Sequence, residues 1–79
     1  MKVKVMLFGH HARLLPPGSL GNAAAVELRE GATVGDVLDD LGVPADGRSY
    51  VQLNGTRGEP AAVLTDGDEV RVIVPLGGG

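Results

Sequence analysis

From Lys2 to Phe8 the chain alternates, with Val3, Val5 and Leu7 on one side and Lys2, Lys4 and Met6 on the other. A period of two predicts a half-buried strand. Gly9 to Asn22 is loop-like, because Pro16-Pro17-Gly18 excludes regular structure. Only Ala12–Leu15 can form a short helical turn before the prolines stop it. Ala24–Leu28 returns as a second strand, antiparallel to the first. After the turn Arg29-Glu30-Gly31, Thr33 is positioned as a helix N-cap, with Asp36 three residues on as a shortened capping box. Val34, Val37, Leu38 and Leu41 then place one apolar stripe on a two-turn helix. Gly42 ends that helix and Pro44 prevents its resumption. Tyr50–Leu53 is a third strand and Asn54-Gly55 a hairpin turn signal. A short edge strand is expected within Ala61–Leu64, then a tight turn at Asp66-Gly67-Asp68. Glu69–Pro75, dense in β-branched residues, is the final strand.

One amphipathic helix laid across one face of a mixed four- to five-stranded sheet satisfies this order, an α+β architecture. The arrangement is the ubiquitin-like β-grasp, with the first and last strands side by side at its centre. Strand parity assigns Val3, Val5, Leu7, Val51, Leu53, Val70, Val72 and Val74 to the core. It turns Met6, Phe8, Tyr50 and Ile73 outward on the opposite sheet face, beside Lys4, Gln52 and Arg71.

Composition narrows the chemistry. Seventy-nine residues make one domain, residues 1–75, with a C-terminal extension at 76–79 expected to be flexible. The absence of cysteine excludes disulfides, thiolate metal sites and a cysteine nucleophile. Seven Lys+Arg against ten Asp+Glu, a net charge of −3, with Phe8 and Tyr50 as the sole aromatics, argues against nucleic acid. The apolar runs are too short for a membrane span or a signal core, so a cytoplasmic protein is expected. His10 and His11, adjacent in a loop, read as a solvated pair rather than a metal site. Asp66-Gly67-Asp68-Glu69 lacks the remaining ligands of a calcium loop and reads as a turn. Thr33 and Ser49 have no His/Asp partners, and no glycine-rich loop opens a helix. No catalytic residue, no metal ligand and no stably bound cofactor emerges, so the chain is expected not to be an enzyme.

The distinctive feature is Leu76-Gly77-Gly78-Gly79 directly after a hydrophobic strand. Four residues beyond Pro75 can reach about 13 Å from the fold. Three of them lack Cβ, so the segment is thin enough for a narrow enzyme cleft and free to take backbone angles closed to other residues. At its tip the α-carboxylate of Gly79 is unobstructed. A partner enzyme can adenylate such a carboxylate with ATP and pass the acyl group to sulfur or nitrogen.

Four segments make the chain similar to the small sulfur-carrier family that includes the small subunit of molybdopterin synthase (MoaD-like) and the thiamin sulfur carrier (ThiS-like). They are Lys2–Phe8, Gly31-Ala32-Thr33-Val34-Gly35-Asp36-Val37-Leu38, Leu53-Asn54-Gly55, and Leu64-Thr65-Asp66-Gly67-Asp68-Glu69-Val70 leading to the Gly-Gly end. The resemblance implies that Gly79 is adenylated by a ubiquitin-activating-type enzyme using ATP–Mg and converted to a thiocarboxylate. Leu76, Gly77 and Gly78 would thread into the partner's active site. Sulfur would come from a persulfide on another protein, and the acceptor would sit in a larger synthase subunit, MoaE-like or ThiG-like, or in tRNA thiolation. In this chain Pro16-Pro17 cuts short a helix that members often carry between the first two strands. The triple glycine leans towards ThiS-like ends and Pro75 towards MoaD-like ones.

The outward apolar residues converge near the start of the extension, so Met6, Phe8, Tyr50, Arg71 and Ile73 are the expected partner-binding surface. Two other readings share the fold. One is a protein modifier joined through Gly79 to substrate lysines. The other is a β-grasp binding module with an idle terminus. The carrier ranks first, the modifier second.

Overall fold

The computed structural model describes residues 1–16, 18–44 and 50–73. The elements are β1 (Lys2–Leu7), a 3-10 helix (Gly9–Leu14), β2 (Ala23–Glu27), α1 (Val34–Leu41), β3 (Val51–Leu53), β4 (Thr56–Arg57) and β5 (Glu69–Val72). They form one five-stranded sheet in the order β2-β1-β5-β3-β4. β1 and β5 run parallel at its centre, and the other pairs are antiparallel. This is the ubiquitin-like β-grasp that the sequence predicts.

Parity holds where it is tested. Val3, Val5, Leu7, Val70 and Val72 are at most 1% exposed, and Val51 is buried. Each such side chain contributes about 1.5–3 kcal/mol on leaving water. Val34, Val37 and Leu38 of α1 close over them, with Leu41 and Leu53 packed at the margin. The core also takes Leu28, Ala32, Val43 and Leu64, which lie outside regular elements and so carry no periodic signal. Val74 and Pro75, expected to finish the last strand, lie outside the described residues.

The capping expectations hold as well. Thr33 Oγ1 accepts from the Asp36 N–H at 3.2 Å, and Asp36 Oδ2 accepts from the Thr33 N–H at 2.9 Å. Gly42 ends α1 in the left-handed region at φ 81°, where its N–H reaches Asp39 O and the Val43 N–H reaches Leu38 O.

Three expectations are corrected. The short edge strand is Thr56–Arg57, directly after the Asn54-Gly55 turn, and not Ala61–Leu64. Both turn residues have positive φ, 53° and 88°, the hairpin geometry that returns the chain at once onto its neighbour. Segment 60–64 instead wraps the start of α1. Pro60 O and Ala62 O accept from the Gly35 and Val34 N–H groups at 2.9 and 3.0 Å, and the Leu64 N–H donates to Ala32 O. The first two bonds satisfy N–H donors that the helix itself cannot. Gly35 permits the approach, since a Cβ there would stand 3.2 Å from Pro60 O. The short helical turn, secondly, is a 3-10 helix beginning at Gly9. Its period of three turns both His11 and Leu14 inward, so His11 is 4% exposed rather than solvated. Thirdly, Phe8 and Tyr50 flank β1 and β3 instead of belonging to them.

The foot of β5 is clamped by its own turn. Asp68 accepts from Asn54 Nδ2 at 3.0 Å and from the Thr65 N–H at 2.8 Å, while Asn54 Oδ1 accepts from the Glu69 N–H at 2.9 Å. Asp66 Oδ1 accepts from the Lys2 N–H at 2.8 Å. The Asn54 side-chain amide, then the Thr65 N–H, hold the Asp68 carboxyl below its ordinary pKa. The Thr33 N–H does the same for Asp36. A depressed folded pKa contributes stability that is present above the ordinary carboxylate range and lost as pH falls through the folded value. Thermal melts across pH should therefore show the wild type losing stability in acid. Asp68→Asn should start lower at neutral pH and vary less with acid, because an amide places a donor against one of two donors.

Candidate functional site

Among the described residues no helix or strand covers the side of the sheet away from α1, and Pro16, Gly18, Ser19 and Leu20 border it beside Lys4 and Ala25. Register places Ala23, Met6, Arg71, Gln52 and Arg57 in one row across all five strands. Lys4 and Glu69 are partners in the same strands, two residues nearer the clamp. Arg71 Nη2 donates to Glu69 Oε1 at 3.1 Å and approaches Met6 Sδ at 3.7 Å. Lys4 Nζ lies 3.8 Å from the other Glu69 oxygen. Glu69 thus stands between two cations. The buried Arg71 Nε has no hydrogen-bond partner among the described residues. Lys4 and Arg71 thus share Glu69, while Arg57 at the far end of the row pairs with Glu59 at 3.1 Å.

Phe8 and Ile73 follow the register partners Leu7 and Val72 by one residue each. The Ile73 N–H donates to Tyr50 O at 2.9 Å, which draws Tyr50 to the same end of the sheet. Tyr50 is 55% exposed. Met6, Phe8, Arg71 and Ile73 are half-buried. All five expected surface residues therefore gather at the open face and its upper end, beside the point where the chain passes from β5 to residues 74–79. The terminal positions Leu76, Gly77, Gly78 and Gly79 lie outside the described residues.

The Asp66–Glu69 segment, part of the fourth stretch that carries the family resemblance, occupies the opposite end of β5. The Asp66 and Asp68 carboxylates are spent on backbone and side-chain donors of the clamp, so the turn is architectural, while Glu69 turns its carboxylate to Lys4 and Arg71. Sequence reasoning did not anticipate Leu20, which is 86% exposed beside Ala23 at the outer margin of β2. Lying between Ser19 and Gly21, it belongs to no periodic pattern. Among the described residues no helix is long and apolar enough to cross a membrane.

A five-stranded mixed sheet with one helix on one face, and apolar side chains beside ion pairs on the other, defines a small ubiquitin-like β-grasp protein. The chain belongs to the ThiS family, whose model matches residues 5–79. No curated protein sequence matches it significantly. Among solved structures it is similar to SAMP1 from Haloferax volcanii, with a TM-score of 0.71 and 26% identity over all of both chains. A second structure of that small archaeal modifier protein 1 gives the same score and identity over 95% of this chain and 98% of the other. A candidate molybdopterin converting factor, subunit 1, from Pyrococcus furiosus has a TM-score of 0.72 and 28% identity over 95% and 98%.

The open-face residues stand off the core, so they should be dispensable for folding. Ile73→Asp and Tyr50→Ala should each change unfolding free energy by less than about 1 kcal/mol in denaturant titrations. Leu7→Ala, which empties the core, should cost about 2–5 kcal/mol.

Proposed function

We propose that this ThiS-family protein is a sulfur carrier of the cytoplasm and that the carboxylate of Gly79 is its reactive group. The observation that carries the reading is the family match, which extends to residue 79 and therefore includes the glycine segment. The likeness to a candidate molybdopterin converting factor subunit supports it. In this reading the chain is a substrate and not a catalyst. A ubiquitin-activating-type partner binds ATP–Mg, and a Gly79 carboxylate oxygen attacks the α-phosphorus with release of pyrophosphate. The outer sulfur of a protein persulfide then displaces AMP from the acyl carbon. A second thiol, external to this cysteine-free chain, then attacks the resulting sulfur–sulfur bond at the persulfide-bearing cysteine, ends as a disulfide with it and releases the thiocarboxylate. A larger synthase subunit, MoaE-like or ThiG-like, consumes that thiocarboxylate in molybdopterin or thiamin synthesis.

This reading divides the labour among the parts of the chain. Leu76, Gly77 and Gly78 thread the partner's cleft, where the two glycines, without Cβ, tolerate close walls. Met6, Phe8, Tyr50 and Ile73 supply apolar contact at the root of that segment. Arg71 and Lys4 favour an acidic partner surface and raise the rate of encounter. The likeness to SAMP1 favours a second reading, in which the activated Gly79 passes to substrate lysines as a modifier.

Intact mass spectrometry of protein recovered from its native host tests both. The carrier reading predicts a mass increase equal to replacing one oxygen by sulfur, localised to Gly79. An unmodified carboxylate accompanied by lysine-linked conjugates, lost when Gly78 and Gly79 are deleted, would contradict it and establish the modifier.

A further inference from the structure

The edge of β2 is open over a short, defined stretch. The Leu28 N–H and Met1 O are bonded at 2.8 Å, and the Leu7 N–H and Asn22 O at 2.9 Å. With the antiparallel register, these bonds direct the backbone groups of Ala24 and Val26 inward to β1 and those of Ala23, Ala25 and Glu27 outward. Ala23 is already engaged, because its N–H and O exchange bonds with Leu20 at 3.1 and 3.0 Å. Among the described residues nothing bonds the outward N–H and C=O groups of Ala25 and Glu27. No proline or bulge blunts this edge between residues 23 and 27.

We propose that this edge pairs with a second copy of the chain, antiparallel about a two-fold axis at Val26. The register follows from what is free. Two open residues on each copy can all pair in one way, Ala25 with Glu27 and Glu27 with Ala25, giving four N–H···O bonds. The alternative centred on Ala25 would set Glu27 against the Ala23 that Leu20 occupies.

Side chains fit the same register. On the open face Ala25 would lie between Lys4 of its own chain and Glu27 of the second copy. Its single methyl lets Lys4, 3.8 Å from Glu69 and 55% exposed, turn across to that carboxylate. The Glu27 side chain is 73% exposed and stands 3.8 Å from its own chain's N-terminus, so the dimer exchanges these two loose pairs for a direct one. The two-fold repeats the contact, so the charges complement one another twice. On the helix side the half-buried Val26, which already packs on the core, meets its own copy. A ribbon this short is a weak interface, so the dimer is one that forms at high protein concentration.

Sedimentation velocity from micromolar to millimolar protein tests the pairing. The wild type should pass from monomer to dimer over that range. Ala25→Pro removes an N–H that points away from β1, so it should keep the wild-type fold and melting temperature and remain monomeric throughout. Should that variant fail to fold, Glu27→Lys is used in its place. It should weaken dimerisation at least tenfold, and Lys4→Glu in the same chain should restore it. A wild type that stays monomeric at millimolar concentration, or a dimer that the folded variant leaves intact, overturns the proposal. So does a failure of Lys4→Glu to rescue.

Discussion

The parallel pairing of β1 with β5 is the contact on which the rest of the molecule depends. It joins the two ends of the described chain and sets Val5 against Val70 and Leu7 against Val72, all fully buried. Backbone bonds from Gly67 N–H to Lys2 O and from Lys4 N–H to Asp68 O close its foot. A parallel pair gains nothing until a long loop has closed, so the local clamp of Asp66, Asp68 and Asn54 fixes register where propensity alone would not. With β1 and β5 in place, α1 covers one face and β2 and β3 find their flanks.

The same pairing separates architecture from chemistry. The carboxylates and the tight turn lie at the foot of β5. The apolar patch of Phe8, Tyr50 and Ile73 lies at its head, where the chain leaves the sheet. One face is filled by α1 and needs no partner, while the other keeps apolar and cationic side chains that the core does not use. In the sulfur-carrier reading this division lets a partner hold the sheet and work on the terminus as two separate tasks.

Much of this was legible in the sequence, because several local signals agree. Alternation in β1, the Thr33–Asp36 cap, Gly42 and Asn54-Gly55 each act over a few residues and each appears as expected. Strand parity likewise separated the buried Val3, Val5, Leu7, Val70 and Val72 from the less buried Met6 and Arg71. Where expectation failed, a tertiary partner decided the outcome. Ala61–Leu64 has the composition of a strand, yet its backbone is taken by the unsatisfied N–H groups of α1. His11 is polar, yet a 3-10 period turns it inward. Leu28, Ala32, Val43 and Leu64 complete the core from irregular backbone, which no periodicity reveals. The Asp66–Glu69 motif pointed to the right family while its residues serve the scaffold, since a register clamp and a functional site leave similar marks in a sequence.

The central claim is that docking on the open face and chemistry at Gly79 are separable. Pyrophosphate exchange by the adenylating partner, measured against carrier concentration, tests it most directly. The account predicts that Ile73→Asp raises the half-saturating concentration at least tenfold with the maximal rate little changed, whereas deleting Gly79 abolishes exchange at every concentration. An unchanged half-saturation for Ile73→Asp, or exchange that survives loss of Gly79, would contradict it.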